Sequence, residues 1–223
     1  MLQFTLSGKH AKNLVKALEN INEDAVFRFD RDGLSVSVSD TFRNRLLEIH
    51  LPAEFFTVYA CEDSIDLGVI VSRLREVTKT LKAKDEVTGS FDIDVPNFLI
   101  LTANGIRRRV RLVNTDLLKS PPPMIYDDFI FTAELAATSV TDFLKAASTF
   151  HTVDVSVVKD SFTITSQEGE EEVSMQFQAD DVALSLEMSD SLTTHGIADL
   201  TKGLNTITDT LTIRGGPTIP ISF

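Results

Sequence analysis

Residues 113–128, VNTDLLKSPPPMIYDD, separate two segments of the chain that show the same order of predicted elements. The consecutive prolines at 121–123 exclude a helix interior and a central strand, because proline has a fixed φ and no N–H donor. Such a run favours an extended, semi-rigid conformation. Met124, Ile125 and Tyr126 follow directly. The stretch is therefore predicted to be a stiff connector that either lies across a sheet or offers a docking surface.

Before the connector, the spacing of apolar residues predicts two amphipathic helices among several strands. The first helix covers residues 8–21 with Ser7 as its N-cap, and the second covers residues 71–82. Asp32-Gly33 and Asn104-Gly105 are typical of tight turns between strands. The predicted strands cover residues 2–6, 26–30, 34–38, 46–51, 55–61, 87–95, 98–102 and 107–113.

After the connector the same order begins again. Helices are predicted over residues 139–148 and 196–207, and strands over 129–132, 153–158, 162–166, 173–177, 182–188, 208–214 and 219–223. This pattern indicates an α+β protein of two duplicated domains, each with two helices on one face of antiparallel sheets. We expect domain 1 over residues 1–116, an interdomain connector over 117–128 and domain 2 over 129–223. Gene duplication is the economical explanation, and two unrelated domains of similar order are the alternative.

Composition excludes several classes of protein. The 223 residues are 43% hydrophobic and 24% charged, as in a globular protein. No apolar run approaches the roughly 18–20 residues that a membrane span needs, and the N-terminus lacks the order of a signal peptide. Cys61 is the single cysteine, which excludes an internal disulfide and a cysteine-based zinc site. An intracellular location fits best.

Charge is distributed unevenly along the chain. The formal charge of −12 argues against indiscriminate nucleic-acid binding. Residues 1–117 nevertheless carry 16 of the 21 basic residues against 17 acidic ones, whereas the remainder carries 5 against 16. A nearly neutral first segment with clustered cations can still present a basic face.

Basic residues recur on the outer faces of the predicted helices, most densely on the first two. An ordinary solvated face is the alternative interpretation for any one helix. Two such helices in one domain favour contact with DNA phosphates, and none shows the Arg, Asn and Gln content of a helix that reads bases. The third and fourth helices each offer one lysine. The candidate DNA-binding residues are Lys9, Lys12, Lys16, Arg73, Arg75, Lys79, Lys82, Lys145 and Lys202.

Two predicted strands carry opposite charges. Alternation places Arg107, Arg109 and Arg111 on one face of the first. Its charges either protect an edge strand from aggregation or mark an edge that pairs with another subunit. The glutamates at 168 and 170–172 lead into the second strand, and head-to-tail pairing of the two strands would close a ring. The candidate interface residues are Arg107, Arg108, Arg109, Val110, Arg111, Glu171, Val173, Met175 and Phe177.

Catalytic and metal-binding patterns are absent from the sequence. The 4 histidines lack metal-ligand spacing, and no nucleophile, phosphate-loop or dinucleotide fingerprint occurs. Acidic pairs at 92 and 94, 127–128 and 180–181 could bind a divalent ion, although such pairs are more typical of solvated turns. We expect no catalytic residue, no metal and no cofactor.

The chain resembles the sliding clamps of the proliferating cell nuclear antigen type, found in archaea and eukaryotes. The similarity covers nearly the whole length and is carried by ALENI at 17–21, DGLSVSVSD at 32–40, RLREVTKTLKAKDEV at 73–87, the proline-bearing connector, FTAEL at 131–135 and FLKAAS at 143–148. The resemblance implies a DNA-clamp fold with helices lining a hole and antiparallel sheets outside. It also implies a homotrimeric ring around double-stranded DNA and no enzymatic activity.

Partner proteins are also implied by the resemblance. DNA polymerase, flap endonuclease, ligase and the clamp loader would dock in a pocket beside the connector. Its residues would be Ser39, Met124, Ile125, Tyr126, Pro217 and Ile219. The chain departs from the family pattern in two respects: it stops within what resembles the penultimate strand, and Ser39 stands where a larger apolar residue is common.

Three functions follow as expectations. The first is a polymerase processivity factor that encircles DNA without sequence specificity in replication and repair. The second, favoured by the uneven charge of the helices, is one subunit of a heterotrimeric or checkpoint-type clamp. The third is a metal-dependent enzyme that uses the acidic pairs, which the spacing of those residues does not encourage.

Overall fold

The computed structural model describes residues 1–41, 46–118, 121, 131–158, 161–178, 183–186, 191–204, 210–216 and 219–222. The chain divides into two compact units, Met1–Pro122 and Pro123–Phe223.

The first unit contains a pair of helices and two antiparallel sheets. Its helices are α1 (Gly8–Glu19) and α2 (Val71–Thr78). Its strands are β1 (Leu2–Ser7), β2 (Asp24–Phe29), β3 (Gly33–Ser39), β4 (Leu46–Pro52), β5 (Val58–Cys61), β6 (Ile65–Ile70), β7 (Glu86–Phe91), β8 (Phe98–Ala103) and β9 (Ile106–Arg111). One sheet has the order β5-β1-β7-β8-β9 and the other β4-β3-β2-β6.

The second unit repeats this plan. Its helices are α3 (Ala137–Ala146) and α4 (Ile197–Leu204). Its strands are β10 (Phe131–Ala136), β11 (Thr152–Val158), β12 (Ser161–Glu168), β13 (Glu171–Gln178), β14 (Ala183–Leu186), β15 (Ser191–Gly196), β16 (Thr210–Gly216) and β17 (Ile219–Ser222). The sheets have the orders β14-β10-β16-β17 and β13-β12-β11-β15.

The two units share one topology. Each strand of the β13-β12-β11-β15 sheet has its counterpart in β4-β3-β2-β6, and β14-β10-β16-β17 matches β5-β1-β7-β8. Among the described residues of the second unit, β9 has no counterpart. The prediction of an α+β fold with an internal duplication is confirmed.

Each unit has its own hydrophobic core, which the alternating apolar residues of its strands supply. In the first unit the ring of Phe4 stacks on Phe29 with centroids 5.2 Å apart. In the second, Phe131 and Phe162 lie 6.2 Å apart and are fully buried. The helices contribute their apolar faces to these cores.

The helices of the first unit run antiparallel and pack against each other. The N–H of Gly8 donates to the carbonyl of Asp85, beyond the end of α2, at 2.6 Å. The N–H of Val71, at the start of α2, donates to the carbonyl of Glu23, beyond the end of α1, at 2.9 Å. These bonds satisfy donors that a helix N-terminus leaves unpaired.

The prediction that the second helix extends to residue 82 is wrong. α2 ends at Thr78, and Lys79 is its C-cap. Leu81 is buried outside the helix, and the carboxylate of Asp85 accepts the backbone N–H of Lys82 at 2.7 Å. The apolar spacing continued past the helix because Leu81 packs on the same core from a loop.

The prediction of a strand over residues 87–95 is also wrong beyond Phe91. The side chain of Asp92 accepts a hydrogen bond from the N–H of Asp94, and its backbone carbonyl accepts one from the N–H of Val95, each at 3.0 Å. These two bonds form a turn. Ile93 and Val95 are consequently 72% and 48% exposed rather than aligned with Phe91 on a buried face.

Two strands were not predicted. β6 has the sequence IDLGVI and runs directly into α2, and its residues were assigned to no predicted element. β15 has the sequence SLTTHG, which lacks apolar alternation. The strand predicted over 55–61 begins only at Val58, and Phe55 belongs to a short 3-10 turn, Ala53–Phe55.

Candidate functional site

The outer face of α1 carries a row of three lysines. Lys9 and Lys16 are exposed and Lys12 is half-buried, while Val15 and Leu18 on the opposite face are buried. Within the described part of the chain, none of the three ammonium groups lies in an ion pair. A row of unneutralised lysines attracts phosphate groups without distinguishing bases.

The cations of α2 are partly neutralised by neighbouring carboxylates. Arg75 Nη1 lies 3.6 Å from Glu19 Oε1 at the end of α1. Lys79 Nζ lies 2.5 Å from Glu76 Oε2, and this hydrogen bond lowers the pKa of Glu76. Exposed pairs of this kind are weak, so both cations can still reach an external phosphate, but their field is reduced.

Arg73 lies at the edge of β9 instead of among the unpaired lysines. Its guanidinium Nη1 donates to the backbone carbonyl of Arg111 at 2.7 Å. Two residues further on, the N–H of Val113 donates to the carbonyl of Gly68 in β6 at 2.9 Å. These two contacts join the end of β9 to the α2 and β6 region.

Lys82 lies in the loop that covers the N-terminus of α1. Asn104 Nδ2 donates to Asp85 Oδ2 at 2.8 Å, and this bond is the main reason that the pKa of Asp85 is lowered. Lys82 and Lys12 both lower that pKa further through their charge. A Cβ at Gly8 would lie 2.2 Å from the carbonyl oxygen of Lys82, so the close approach of loop and helix requires glycine.

Among the described side chains of α3 and α4, Lys145 is the one lysine or arginine. Lys145 Nζ of α3 lies 2.7 Å from Asp142 Oδ1, with both side chains largely exposed. Lys202 belongs to α4, but its side chain lies outside the described residues.

The arginine strand β9 is the edge strand of its sheet. Val110 is buried, whereas Arg107, Arg109 and Arg111 are exposed on the opposite face. The guanidinium carbon of Arg109 lies 4.1 Å from the centroid of the Phe98 ring, a cation–π contact that fixes its position. The edge is therefore open and strongly cationic.

The backbone groups along β9 point in alternating directions. Asn104 (φ 50°) and Gly105 (φ 76°) form the two-residue turn from β8, and Ala103 pairs with Ile106. In such a hairpin these flanking residues exchange hydrogen bonds. The N–H and C=O groups of residues 107, 109 and 111 consequently point away from β8.

Strand β13 is the corresponding open edge of the second unit. Its residues Val173, Met175 and Phe177 pack on the core, and the residues between them are exposed. Gly169 (φ 64°) begins the two-residue turn from β12, and Glu168 pairs with Glu171. The same reasoning directs the backbone groups of residues 172, 174 and 176 away from β12.

Only part of the predicted partner pocket is described. Ser39 is half-buried at the end of β3, and its carbonyl accepts a hydrogen bond from Asn22 Nδ2 at 2.8 Å. Ile219 begins β17 and pairs with Gly216. The other pocket residues, Met124, Ile125, Tyr126 and Pro217, lie outside the described residues.

Among the described residues, no group of three or more His, Cys, Asp or Glu side chains could hold a metal ion. The acidic pairs at 127–128 and 180–181 lie outside this part of the chain. Cys61 is buried, and its thiol donates to the carbonyl of Asp63 at 3.0 Å. No described helix combines the length and apolar character of a membrane span.

The duplicated α+β units, with a cationic helix pair and two edge strands of opposite charge, define a DNA-clamp architecture. Residues 1–118 match the family described as "Proliferating cell nuclear antigen, N-terminal domain". The chain belongs to the proliferating cell nuclear antigen family.

Known relatives agree with this membership. The "DNA polymerase sliding clamp" of Thermococcus gammatolerans is 24% identical over 232 residues, which cover 96% of this chain and 88% of the relative. The protein of the same name from Pyrococcus furiosus is 25% identical over 232 residues with the same coverage, 96% and 88%.

Solved structures show the same fold. One is the A. fulgidus proliferating cell nuclear antigen bound to the C-terminal region of FEN-1, with a TM-score of 0.91, 16% identity and coverage of 99% of this chain and 90% of that one. Another is the antigen of Thermococcus kodakaraensis, with a TM-score of 0.86, 20% identity and coverage of 99% and 92%.

Sequence reasoning found the lysine row but missed the contacts that anchor its surroundings. Helical spacing assigned Arg73 to the cationic set because spacing does not identify a tertiary partner such as the Arg111 carbonyl. The Asp85–Asn104 bond was equally invisible, although Asn104-Gly105 marked the turn correctly.

Proposed function

We propose that this chain is a DNA polymerase sliding clamp, three copies of which form a ring around duplex DNA. The observation that carries the proposal is the lysine row of α1, Lys9, Lys12 and Lys16, without an ion-pair partner in the described part of the chain. Such lysines hold phosphates loosely, and contacts that carry no base information permit sliding. Family membership and the names of the relatives support this function.

The clamp acts by tethering enzymes inside the cell and performs no reaction itself. DNA polymerase, flap endonuclease, ligase and a clamp loader are its proposed partners. The pocket for their docking segments would include Ser39 and Ile219 with the connector, residues 117–128, which joins domain 1 (1–116) to domain 2 (129–223).

The subunits of the ring would join β9 of one copy to β13 of the next. Among the described strands, both lie at the edge of their sheets, and such edges readily pair with another chain. The arginines of β9 and the glutamates at 168 and 170–172 provide opposite charges. A head-to-tail joint of this kind closes into a ring when the rotation between copies permits it.

A topological retention experiment tests the clamp function. The chain is loaded onto a nicked circular duplex with the clamp loader of an archaeal relative, and the complex is isolated by gel filtration. We expect the chain to remain with the circle and to leave when a restriction enzyme linearises the DNA. Tight, sequence-selective binding that survives linearisation would contradict a clamp.

A matched pair of charge reversals tests the lysine row. Lys16→Glu reverses an exposed charge of the row, and Arg31→Glu makes the same reversal in the exposed turn between β2 and β3. We expect Lys16→Glu to weaken binding to a short duplex by about tenfold at low salt and to flatten its salt dependence. Arg31→Glu should change the affinity and its salt dependence much less. Equal effects of the two substitutions would show that the lysine row of α1 is not part of the DNA-binding site.

One subunit of a heterotrimeric clamp is the second candidate function. The observation that favours it is the Lys145–Asp142 pair on α3, which partly neutralises the cation of that helix. Other subunits would then supply the missing positive charge. A stable closed trimer formed by the purified chain alone would exclude this candidate.

A further inference from the structure

We propose that Asn104, in the turn between β8 and β9, undergoes spontaneous deamidation and that the carboxylate formed there repels Asp85. This repulsion loosens the loop of residues 82–85, which covers the start of α1. The covalent step follows from the turn itself, whereas its effect on DNA binding rests on the function proposed above.

The sequence and surroundings of the turn favour this reaction. Asparagine is a thermally labile residue, and the residue that follows it here is glycine, which has no Cβ to hinder ring closure. Asn104 and Gly105 are both exposed. Apart from its chain neighbours, no described atom lies within 4 Å of where a Cβ of Gly105 would stand. Within the described part of the chain, the side-chain amide is thus open to the Gly105 nitrogen and to water.

The reaction converts the amide into a carboxylate in two steps. The backbone nitrogen of Gly105 attacks Cγ of Asn104, the bond from Cγ to Nδ2 breaks, and Nδ2 leaves as ammonia with the proton that the attacking nitrogen gives up. Water then opens the cyclic imide at either carbonyl: its hydroxyl adds to the carbonyl carbon, and its other proton returns to the nitrogen. The products are aspartate and isoaspartate, and no oxidant or reductant takes part.

A hydrogen bond restrains the amide while the turn is closed. Asn104 Nδ2 donates to Asp85 Oδ2 at 2.8 Å. Asn104 also has a φ of 50°, a conformation that is uncommon for residues other than glycine. An exposed turn of two residues opens more often than the core does. The contact with Asp85 therefore slows the reaction without preventing it.

The product has a carboxylate where the amide now donates. Asp85 Oδ2 also accepts the N–H of Lys82 at 2.7 Å, and the Asp85 carbonyl accepts the N–H of Gly8 at 2.6 Å. Because two carboxylates in contact repel each other, deamidation drives the turn away from the loop and weakens its hold on α1. Lys12 and Lys82 lie near enough to lower the pKa of Asp85. The new charge consequently reduces the attraction of this end of the lysine row for phosphate.

Incubation of the full chain in mildly alkaline buffer tests the covalent step. Residues 85–107 form one tryptic peptide, which contains both Asn104 and Asn97. Asn97 is also exposed but precedes Phe98, so it is the internal control. We expect fragment masses to show conversion of amide to acid about tenfold faster at Asn104 than at Asn97, with isoaspartate detected by isoaspartyl methyltransferase. Equal rates at the two asparagines would overturn the site.

The variant Asp85→Ala tests the restraint. It removes the acceptor of the Asn104 amide and should raise the rate of deamidation about threefold. An unchanged or lower rate would overturn the restraining role of Asp85.

Two substitutions separate the new charge from the lost hydrogen bond. Asn104→Asp mimics one product, and Asn104→Gly removes the amide without adding charge, in a turn that suits glycine. We expect Asn104→Asp to speed hydrogen exchange about fivefold at the amides of Gly8 and Lys9, which donate to the loop. It should also weaken low-salt binding to a short duplex about threefold. Asn104→Gly should change both quantities much less.

The outcomes of these measurements are separable. Equal effects of Asn104→Asp and Asn104→Gly would overturn the repulsion, and unchanged exchange in Asn104→Asp would overturn the effect on the loop. A chain that deamidates at Asn104 but binds no duplex would contradict the proposed function and leave the modification site intact.

Discussion

The imidazole of His195 lies in β15 at the position that Val69 occupies in β6 of the first unit. Val69 pairs with Ala25, and His195 pairs with the equivalent residue Val153. Among the described residues, His195 Nε2 and Thr193 Oγ1 are buried side-chain atoms without a hydrogen-bond partner. Burial lowers the pKa of His195, and the charge of Asp154 only partly opposes this. The second unit thus has unsatisfied polar atoms where the first unit has Val69 at the equivalent position.

His195→Val should stabilise the chain by about 1 kcal/mol at neutral pH, because an unsatisfied buried polar group is costly. The folded-state pKa of His195 lies below the unfolded value of about 6.5, so the unfolded state binds the proton first. Stability is therefore lost as pH falls below about 6.5. Urea unfolding at about pH 7.5 and about pH 5.5 should show a smaller loss in His195→Val than in the unmodified chain.

His151→Val is the matched control, because His151 is exposed. It removes an exposed imidazole and should not reproduce the effect of His195→Val. If His195→Val loses as much stability on acidification as the unmodified chain, the imidazole is not the group that titrates.

At the scale of elements, the equivalent helices α1 and α3 each follow the first strand of their unit, but their N-cap residues differ. Ser7 accepts the N–H of His10 and caps α1. Ala136 holds the same position before α3 with an extended backbone (φ −66°, ψ 123°) and makes no side-chain cap. The first residues of α3 thus lack a contact that α1 has.

Ser7→Ala should destabilise the first unit by about 1 kcal/mol, and Ala136→Ser should stabilise the second by a similar amount. Native-state hydrogen exchange, read separately for the amides of α1 and α3, measures both effects. Ala146→Ser, at the exposed C-terminal end of α3, controls for a new hydroxyl away from the cap. Equal changes in both helices after either substitution would contradict local capping.

Hydrophobic periodicity predicted all four helices and most strands because each element buries one face. It failed where a buried residue lies outside a helix or strand, and where a residue that fits the alternation is exposed. Leu81 is buried from a loop, which lengthened the predicted α2, and Ile93 is exposed in a turn despite its alternation with Phe91. β6 was missed although Ile65, Leu67 and Val69 alternate with Asp66 and Gly68.

The candidate sites were predictable to a similar degree. The spacing of Lys9, Lys12 and Lys16 is enough to place them on one helical face. The hydrogen bond from Arg73 to β9 depends on how α2 packs in three dimensions, which a one-dimensional spacing does not contain. The exposure of Ile106 likewise depends on tertiary packing, although the arginines of β9 did indicate an edge strand.

At the scale of the whole molecule, the opposite charges of β9 and the β12–β13 turn predict an assembly that salt weakens. Light scattering during gel filtration should give a trimer at about 0.05 M salt and smaller species at about 1 M, as screening shortens the range of the attraction. Arg111→Glu should lower the trimer fraction at low salt, and adding Glu172→Arg should restore it. A trimer indifferent to salt and to both substitutions would contradict a charge-assisted joint.

The two open edges of the chain are unlike each other, and this has a kinetic consequence. Each joining step pairs the β9 edge of one copy with the β13 edge of another. The resulting oligomer again has one unused β9 edge at one end and one unused β13 edge at the other. Growth then stops only when the oligomer closes into a ring. An oligomer that does not close continues to add copies as a linear polymer. A copy with a disabled β13 edge would act as a chain terminator, able to poison assembly at substoichiometric amounts.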